Sequence, residues 1–343
     1  MRLKGFIYSL GFLISCFLIL FIAGAVITGL IIQNFEIPQN FGNGQENIAN
    51  VCKNMDANDF TFIVVGDVKD GTATFEAMLD IIEQEDPAFT VVLGDLVCKA
   101  TGIAHKLFTF EMSEHCREVP MFIVAGNHDI DLEGGFDITD FEKIYGPAQF
   151  SFCIGEYLFV FLNDNEPYCD SEDYIEYLES AILSRQGKIK KTFVFMHVPA
   201  IKIDGSLQNS GLSGSERFME LAKEYNIDYV FAGDHHGYIK QHVGNTNYII
   251  TGGGGSRLRG QRGRFYHMMR IGVEEGLATE TVILGRKYIE TTELIERNIV
   301  IYIWPMISHN MVSRFVTAII LIFAFLMCIY TFRKRRNLKK RRI

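Results

Sequence analysis

Five short apolar runs punctuate the middle of the chain: FTFIVV (60–65), FTVVL (89–93), MFIVA (121–125), TFVFM (192–196) and DYVFA (228–232). Each is rich in β-branched and aromatic residues and stops at a Gly or His, the pattern of a buried strand rather than a half-exposed one. Stretches with helical patterning lie between or after them at about 72–84, 101–117, 171–185 and 213–225. After Asp234 the pattern changes to hairpins, with YIKQHV, NTNYIIT, FYHMMRIGV and TETVIL separated by turns at GN and EEGLA. A repeating strand, loop and helix order predicts an α/β domain whose loops share a crevice at the carboxyl ends of the strands.

Two longer apolar stretches are of another kind. Residues 5–32 carry no charge over 28 positions, and residues 315–332 add 18 more. At ~1.5 Å per residue the first exceeds the ~30 Å hydrocarbon layer of a bilayer, and the second reaches the lower limit. Tyr302 and Trp304, upstream of the second, suit an interfacial belt. Arg2 and Lys4 precede the first span and RKRRNLKKRRI follows the second. The positive-inside tendency then places both termini in the cytoplasm and the intervening domain outside it. The apolar run is long for the h-region of a cleaved signal peptide, so an uncleaved anchor is expected. The predicted order is a cytoplasmic head (1–4), a transmembrane helix (5–32), a linker (33–58), the domain (59–285), a juxtamembrane segment (286–311), a second transmembrane helix (312–332) and a basic tail (333–343).

The formal charge of the 343-residue chain is −8, which becomes −18 for residues 5–332 once the ten flanking positive charges are set aside. An acidic surface of this size argues against bulk nucleic-acid binding, and an anionic ligand would have to be held locally. Of seven cysteines, Cys16 and Cys328 fall in the spans, while Cys52, Cys98, Cys116, Cys153 and Cys169 face an oxidising compartment in this topology, which allows one or two disulfides. Their spacing fits no zinc knuckle.

At the ends of the apolar runs stand GDVKDG (66–71), GDL (94–96), GNHD (126–129), MHVP (196–199) and GDHH (233–236). Taken together, in this order and spacing, they resemble the calcineurin-like metallophosphoesterase family over roughly residues 59–285. The resemblance implies a four-layer α/β/β/α sandwich of two mixed sheets flanked by helices, here with apolar helices at both ends. It also implies a dinuclear centre whose bridging hydroxide attacks phosphorus. By position, Asp67 would bind the first metal, Asp95 would bridge both, Asn127 and His197 would bind the second, and His236 would complete the first. His128 would reach the leaving-group oxygen, with Asp129 orienting its imidazole. Carboxylates neutralise dications and imidazoles supply directional nitrogen ligands, so Mn, Fe or Zn, one or two per chain, suits these residue types.

Two positions depart from the family pattern. Lys69 stands where the first segment usually has His, and Asp234 where the last usually has His. Aspartate is an ordinary oxygen ligand, so the second metal keeps Asp95, Asn127, His197 and Asp234. Lysine must lose a proton before it can coordinate, and taking its ordinary ~10.4 to ~7 costs about 4.6 kcal/mol. Lys69 then either replaces part of the first metal's charge, pairing with Asp234 or substrate phosphate, or points to solvent while Asp70 or water fills the gap. His235 reads as a pocket-lining group. Arg257, Arg259, Arg262 and Arg264, in a loop beside the site, either meet the substrate or form a solvated hairpin. His105, His115, His242 and His267 match no segment of the site and read as structural. GDLVC lacks the Tyr that serves purple acid phosphatases as an iron ligand, which argues against that branch. Two functional classes follow: a membrane-anchored phosphoesterase for a phosphomonoester or phosphodiester, with a lipid or nucleotide substrate near the membrane, and a degraded member serving as a binding or scaffold module.

Overall fold

The computed structural model describes residues 2–38, 41–54, 56–69, 71–115, 119–131, 133–165, 171–201, 212–259, 263–289 and 291–340. Asp70, Cys116, Cys169 and Arg262 lie outside the described residues. The chain divides into two compact units: Met1–Phe35 with Thr291–Ile343, and Glu36–Glu290.

The larger unit contains β1 (Asp59–Val65), α3 (Thr72–Glu85), β2 (Phe89–Leu93), α4 (Gly102–His115), β3 (Met121–Val124), α5 (Ile138–Tyr145), β4 (Phe150–Ile154), β5 (Tyr157–Phe161), α6 (Ser171–Leu183), β6 (Lys191–Phe195), α7 (Ser215–Glu224), β7 (Tyr229–Ala232), β8 (Tyr238–Val243), β9 (Thr246–Thr251), β10 (His267–Glu274) and β11 (Leu277–Leu284). They form a five-stranded sheet in the order β11-β10-β1-β2-β3 and a six-stranded sheet in the order β4-β5-β6-β7-β9-β8. Both sheets are mixed: β1, β2 and β3 run parallel beside an antiparallel β10–β11 hairpin, and β5, β6, β7 and β9 run parallel with antiparallel β4 and β8 at the edges.

The sheets face each other across a core rich in phenylalanine, which explains why these strands read as continuous apolar runs. Phe62 of β1 meets Phe159 of β5 edge-on at 5.6 Å and Phe193 of β6 at 5.3 Å between ring centroids. Helices cover the outer faces: Leu178 of α6 and Phe218 of α7 pack behind the six-stranded sheet with Val160, Val194 and Val230. On the other side Phe75 of α3 stacks on Phe108 of α4. The four-layer sandwich is the expected one.

The segment read as a linker, 33–58, differs from expectation. It carries α2 (Gln45–Asn54), whose Ile48 and Val51 join the core between the sheets. Asn43 binds the β3 backbone in both directions, donating to the Ile123 carbonyl at 2.8 Å and accepting from its amide at 2.9 Å. A polar asparagine in a polar sequence gives no hint of such a role, because its partners are backbone groups some eighty residues away.

The smaller unit contains α1 (Arg2–Gln33), α8 (Thr291–Asn298), a π-helical turn (Ile299–Ile303), α9 (Trp304–Ser308) and α10 (Met311–Lys340). Helices α1 and α10 are long and apolar enough to cross a membrane, over Leu3–Gln33 and Met311–Leu338. They pack together, with Tyr8 edge-on to Tyr330 and the Cys16 sulfur 3.6 Å from that of Cys328. Trp304 is buried rather than set in an interfacial belt: its ring lies over Gly29 of α1, where a Cβ would come within 2.2 Å of it. Among the described residues Cys16, Cys52, Cys153 and Cys328 are free thiols.

Candidate metal centre

The strands β1, β2, β3, β6 and β7 end at one edge, and each hands a polar residue to the same crevice. The backbone there is tightly bent. Asp67, Lys69, Asp95, Asp234 and His236 adopt φ values of 60°, 38°, 56°, 57° and 52°. Left-handed geometry costs a non-glycine residue roughly 1–2 kcal/mol, so five such residues in one crevice mark a place where the fold holds side chains against local preference. Asp67 and Asp95 are fully buried. Gly252 makes room for Asp67, and Gly94 for His197. A Cβ on Gly252 would lie 2.0 Å from Asp67 Oδ2, and one on Gly94, whose φ is +79°, would lie 2.7 Å from His197 Nδ1.

Two ligand groups result, and they share Asp95. Asp67, Asp95 and His236 converge in one, and Asp95, His197 and Asp234 in the other, with the ligand atoms of each group within 4.8 Å of one another. Each histidine is oriented by its far nitrogen. His197 Nδ1 donates to the Leu93 carbonyl at 2.7 Å and His236 Nδ1 to that of Arg257 at 3.0 Å. That leaves Nε2 of each facing inward: His197 Nε2 lies 3.3 Å from Asn127 Oδ1 and 3.6 Å from Asp95 Oδ1. His236 Nε2 lies 3.8 Å from Asp67 Oδ1 and 3.7 Å from Asp95 Oδ2.

The donor set fits a divalent cation. Asp67 Oδ2 and His236 Nε2 are buried without a hydrogen-bond partner, an expensive state unless something positive completes it. The electrostatics agree. Burial works to lower the His197 pKa, but Asp95, Asp67, Asp234 and Asp164 outweigh it and push it up to about 9. Burial, then the charge of Asp95, raises Asp67, whereas Asp95 itself is held well below the ordinary carboxylate range because His197, His236, Lys69 and His128 outweigh its burial.

Lys69 is not in solvent. It is 9% exposed, and its Nζ lies 2.5 Å from Asp95 Oδ2, a close ion pair without hydrogen-bonding alignment. Its partner is thus Asp95, not the expected Asp234. The backbone enforces this, since the Lys69 amide donates to the Asp95 carbonyl at 2.8 Å. Asp234 Nα donates to Asp67 Oδ1 at 3.1 Å, joining the first and last segments.

Asp129 also differs from expectation. Its buried carboxylate accepts from the backbone amides of Leu96 at 2.8 Å, Val97 at 3.2 Å and Gly126 at 2.8 Å, and among the described residues none of its bonds reaches the His128 ring. It locks the loop after β2 to the loop after β3, and so fixes Asp95 against Asn127. Burial, then Asp95, raises its pKa to about 7. His128 is exposed at the rim, with its amide on Asp95 Oδ1 at 3.1 Å. Partial desolvation lowers its pKa, with Asp95 opposing and Lys69 adding to the effect.

Three supporting residues lay outside the five segments. Asp164 accepts from the amides of His197 at 2.9 Å and Val198 at 2.7 Å, and Asn165 donates to the Ala125 carbonyl at 2.6 Å. Both follow the apolar run YLFVF (157–161) in the sequence FLNDN, a sixth strand end of the same kind as the other five. His105 accepts at Nδ1 from the Tyr145 hydroxyl at 2.9 Å and donates from Nε2 to the Asp129 carbonyl at 3.1 Å, behind the GNHD loop. The arginine loop does flank the site. Ser256 donates to the Asp67 carbonyl at 2.8 Å and Arg259 to that of His236 at 3.0 Å, while the Arg257 and Arg259 side chains are exposed. His235 is buried, and its pKa is lowered by that burial. His115, His242 and His267 bond to Asp80, Asn247 and Thr251, away from the ligand groups.

The sequence profile described as calcineurin-like phosphoesterase matches residues 60–238, just over half of the chain. The human serine/threonine-protein phosphatase CPPED1 is 25% identical over 264 residues, which cover 68% of this chain and 80% of that one. The Bos taurus protein of the same name is 24% identical over 271 residues, covering 71% and 84%. Among solved structures, a purple acid phosphatase from yellow lupin seeds superposes with a TM-score of 0.52 at 18% identity. It is matched over 68% of this chain and 53% of its own length, a likeness of fold. The chain belongs to the calcineurin-like phosphoesterase family, whose fold is that of a metal-dependent hydrolase.

Proposed function

We propose that this phosphoesterase is a membrane-tethered, divalent-metal-dependent phosphatase whose catalytic domain lies outside the cytoplasm and hydrolyses a phosphate monoester. The observation that carries the chemistry is the pair of ligand groups sharing the buried Asp95. Asp95, Asn127, His197 and Asp234 would hold a divalent ion, with Asp67, Asp95 and His236 forming the adjoining group of ligand residues. A bound Mn, Fe or Zn ion supplies Lewis acidity at a water and at the phosphate oxygens.

The chain's own residues set the geometry. Asp129 and Asp164 hold the loops that carry Asp95, Asn127 and His197, so the ligand atoms are preorganised. Exposed His128, with its backbone pinned to Asp95, would protonate the departing oxygen. A phosphate dianion beside it counteracts the lowering of its pKa. Arg257 and Arg259 stand exposed beside His236, where they would receive the phosphate or a neighbouring anionic group.

The similar curated proteins are named for serine/threonine phosphatase activity, which favours a phosphoserine or phosphothreonine substrate. The apolar terminal helices, with basic residues on the outer flank of each, favour one presented at a membrane surface, a lipid phosphate or nucleotide included. The scaffold reading rests on Lys69 and is opposed by the ligand set being otherwise complete. Full-length protein in detergent, stripped of metal and resupplied with Mn, Fe or Zn, is to be assayed on p-nitrophenyl phosphate, bis(p-nitrophenyl) phosphate, a phosphoserine peptide, a lipid phosphate and a nucleotide. Metal-dependent hydrolysis of monoesters is expected. A protein that hydrolyses nothing on this panel with any of the metals is a scaffold.

A further inference from the structure

The first ligand group already contains a cation. Lys69 Nζ is 2.5 Å from Asp95 Oδ2, and this is the oxygen that turns toward His236 Nε2, 3.7 Å away, rather than the one that faces His197. The lysine is buried, and its side chain is aimed inward from a backbone at φ 38°, a conformation that lysine adopts at a cost. Asp67 completes the same pocket.

The lysine separates one ion from two. Asp67, Asp95 and Asp234 bring three negative charges to a crevice in which the histidines coordinate as neutral rings, and one dication with the Lys69 ammonium cancels them. A second dication would have to share Asp95 Oδ2 with the ammonium that lies 2.5 Å from it. The second group has no such competitor: Asp95 Oδ1, Asn127 Oδ1, His197 Nε2 and the Asp234 carboxylate converge with Lys69 on the far oxygen of Asp95.

We propose that the Lys69 ammonium is a resident cation in the Asp67–Asp95–His236 pocket, so that the chain carries one divalent ion, on Asp95, Asn127, His197 and Asp234. This rests on the reading of the site as a divalent-metal centre. Lys69 acts as a fixed positive charge where a second metal would otherwise sit, and Asp234 is the carboxylate that balances it.

The test is metal content. Full-length protein, stripped and then equilibrated with Mn(II) alone, is analysed for manganese per chain and by electron paramagnetic resonance. The expected result is one ion per chain with the hyperfine pattern of an isolated Mn(II), rising to two exchange-coupled ions in Lys69→His. Two further variants make the test independent of how that one folds. Asp67→Asn, which keeps an acceptor for the Asp234 amide, should retain the single ion, and Asp234→Ala should lose it. Two ions in the wild type overturn the proposal and leave the phosphatase reading standing. So does a folded Lys69→His that stays at one ion, or loss of the ion on Asp67→Asn. No ion in any form, with the chain folded, removes the metal reading itself.

Discussion

Replacing His105 by Gln separates one contribution to the acid sensitivity of the domain from all the others. His105 is fully buried in α4 behind the GNHD loop, stacked on Phe136, with Nδ1 accepting from Tyr145 and Nε2 donating to the Asp129 carbonyl. Burial, against the carbonyl bond to Asp129, lowers its pKa from 6.5 to about 4. A folded-state pKa below the unfolded one means that protonation favours unfolding. The stability is complete above the unfolded value of 6.5 and is lost as pH falls toward 4. Between pH 7.5 and 4.5 the loss works out at roughly 2–3 kcal/mol. For a domain of this size that is about 5–10 °C in Tm, at ~2–4 °C per kcal/mol. Glutamine presents the same acceptor and donor and does not titrate. The assay is the melting of full-length wild type and His105→Gln in detergent across this pH range. The expected result is a drop smaller by about 5–10 °C in the variant. Parallel pH profiles for the two proteins would refute the placement of a neutral His105 behind the loop.

Asp129→Asn should leave the Gly126 amide facing an amide group rather than a carboxylate, at a cost of about 1–3 kcal/mol; calorimetry reads the stability, and kcat should fall with it because Asp95 and Asn127 lose their common brace. Gly252→Ala puts a methyl 2.0 Å from Asp67 Oδ2 and should destabilise by about 1–3 kcal/mol, visible as a lower Tm. Arg257→Ala with Arg259→Ala should raise KM for phosphomonoesters at unchanged metal content; an unchanged KM would mean that these side chains only face solvent. Protease applied to sealed, correctly oriented vesicles should reach the domain from the side opposite the basic tail, and cleavage from the tail side would reverse the topology.

The sequence and the structure agree most closely where an apolar run ends in a ligand. The five strands, the four principal helices and the C-terminal hairpins were legible because buried parallel strands cannot alternate polarity and because each stops at a residue with chemistry. Three features of the site were not legible. The partner of Lys69 depends on which oxygen of Asp95 turns toward which histidine, a matter of loop geometry at left-handed residues. Asp129 follows His128 in sequence, yet its carboxylate turns to backbone amides across two loops. The β4–β5 hairpin brings Asp164 and Asn165 under the site, and its run YLFVF is no less apolar than the others; the stretch of polar residues after it masks the strand end.

The centre itself is tested most directly by titrating Mn(II) into stripped full-length protein while following monoester hydrolysis. Activity should be absent without metal, rise to saturation at one equivalent per chain, and be absent throughout the titration in Asp95→Asn. Hydrolysis without metal, or hydrolysis that survives in Asp95→Asn, would contradict a metal centre organised on Asp95.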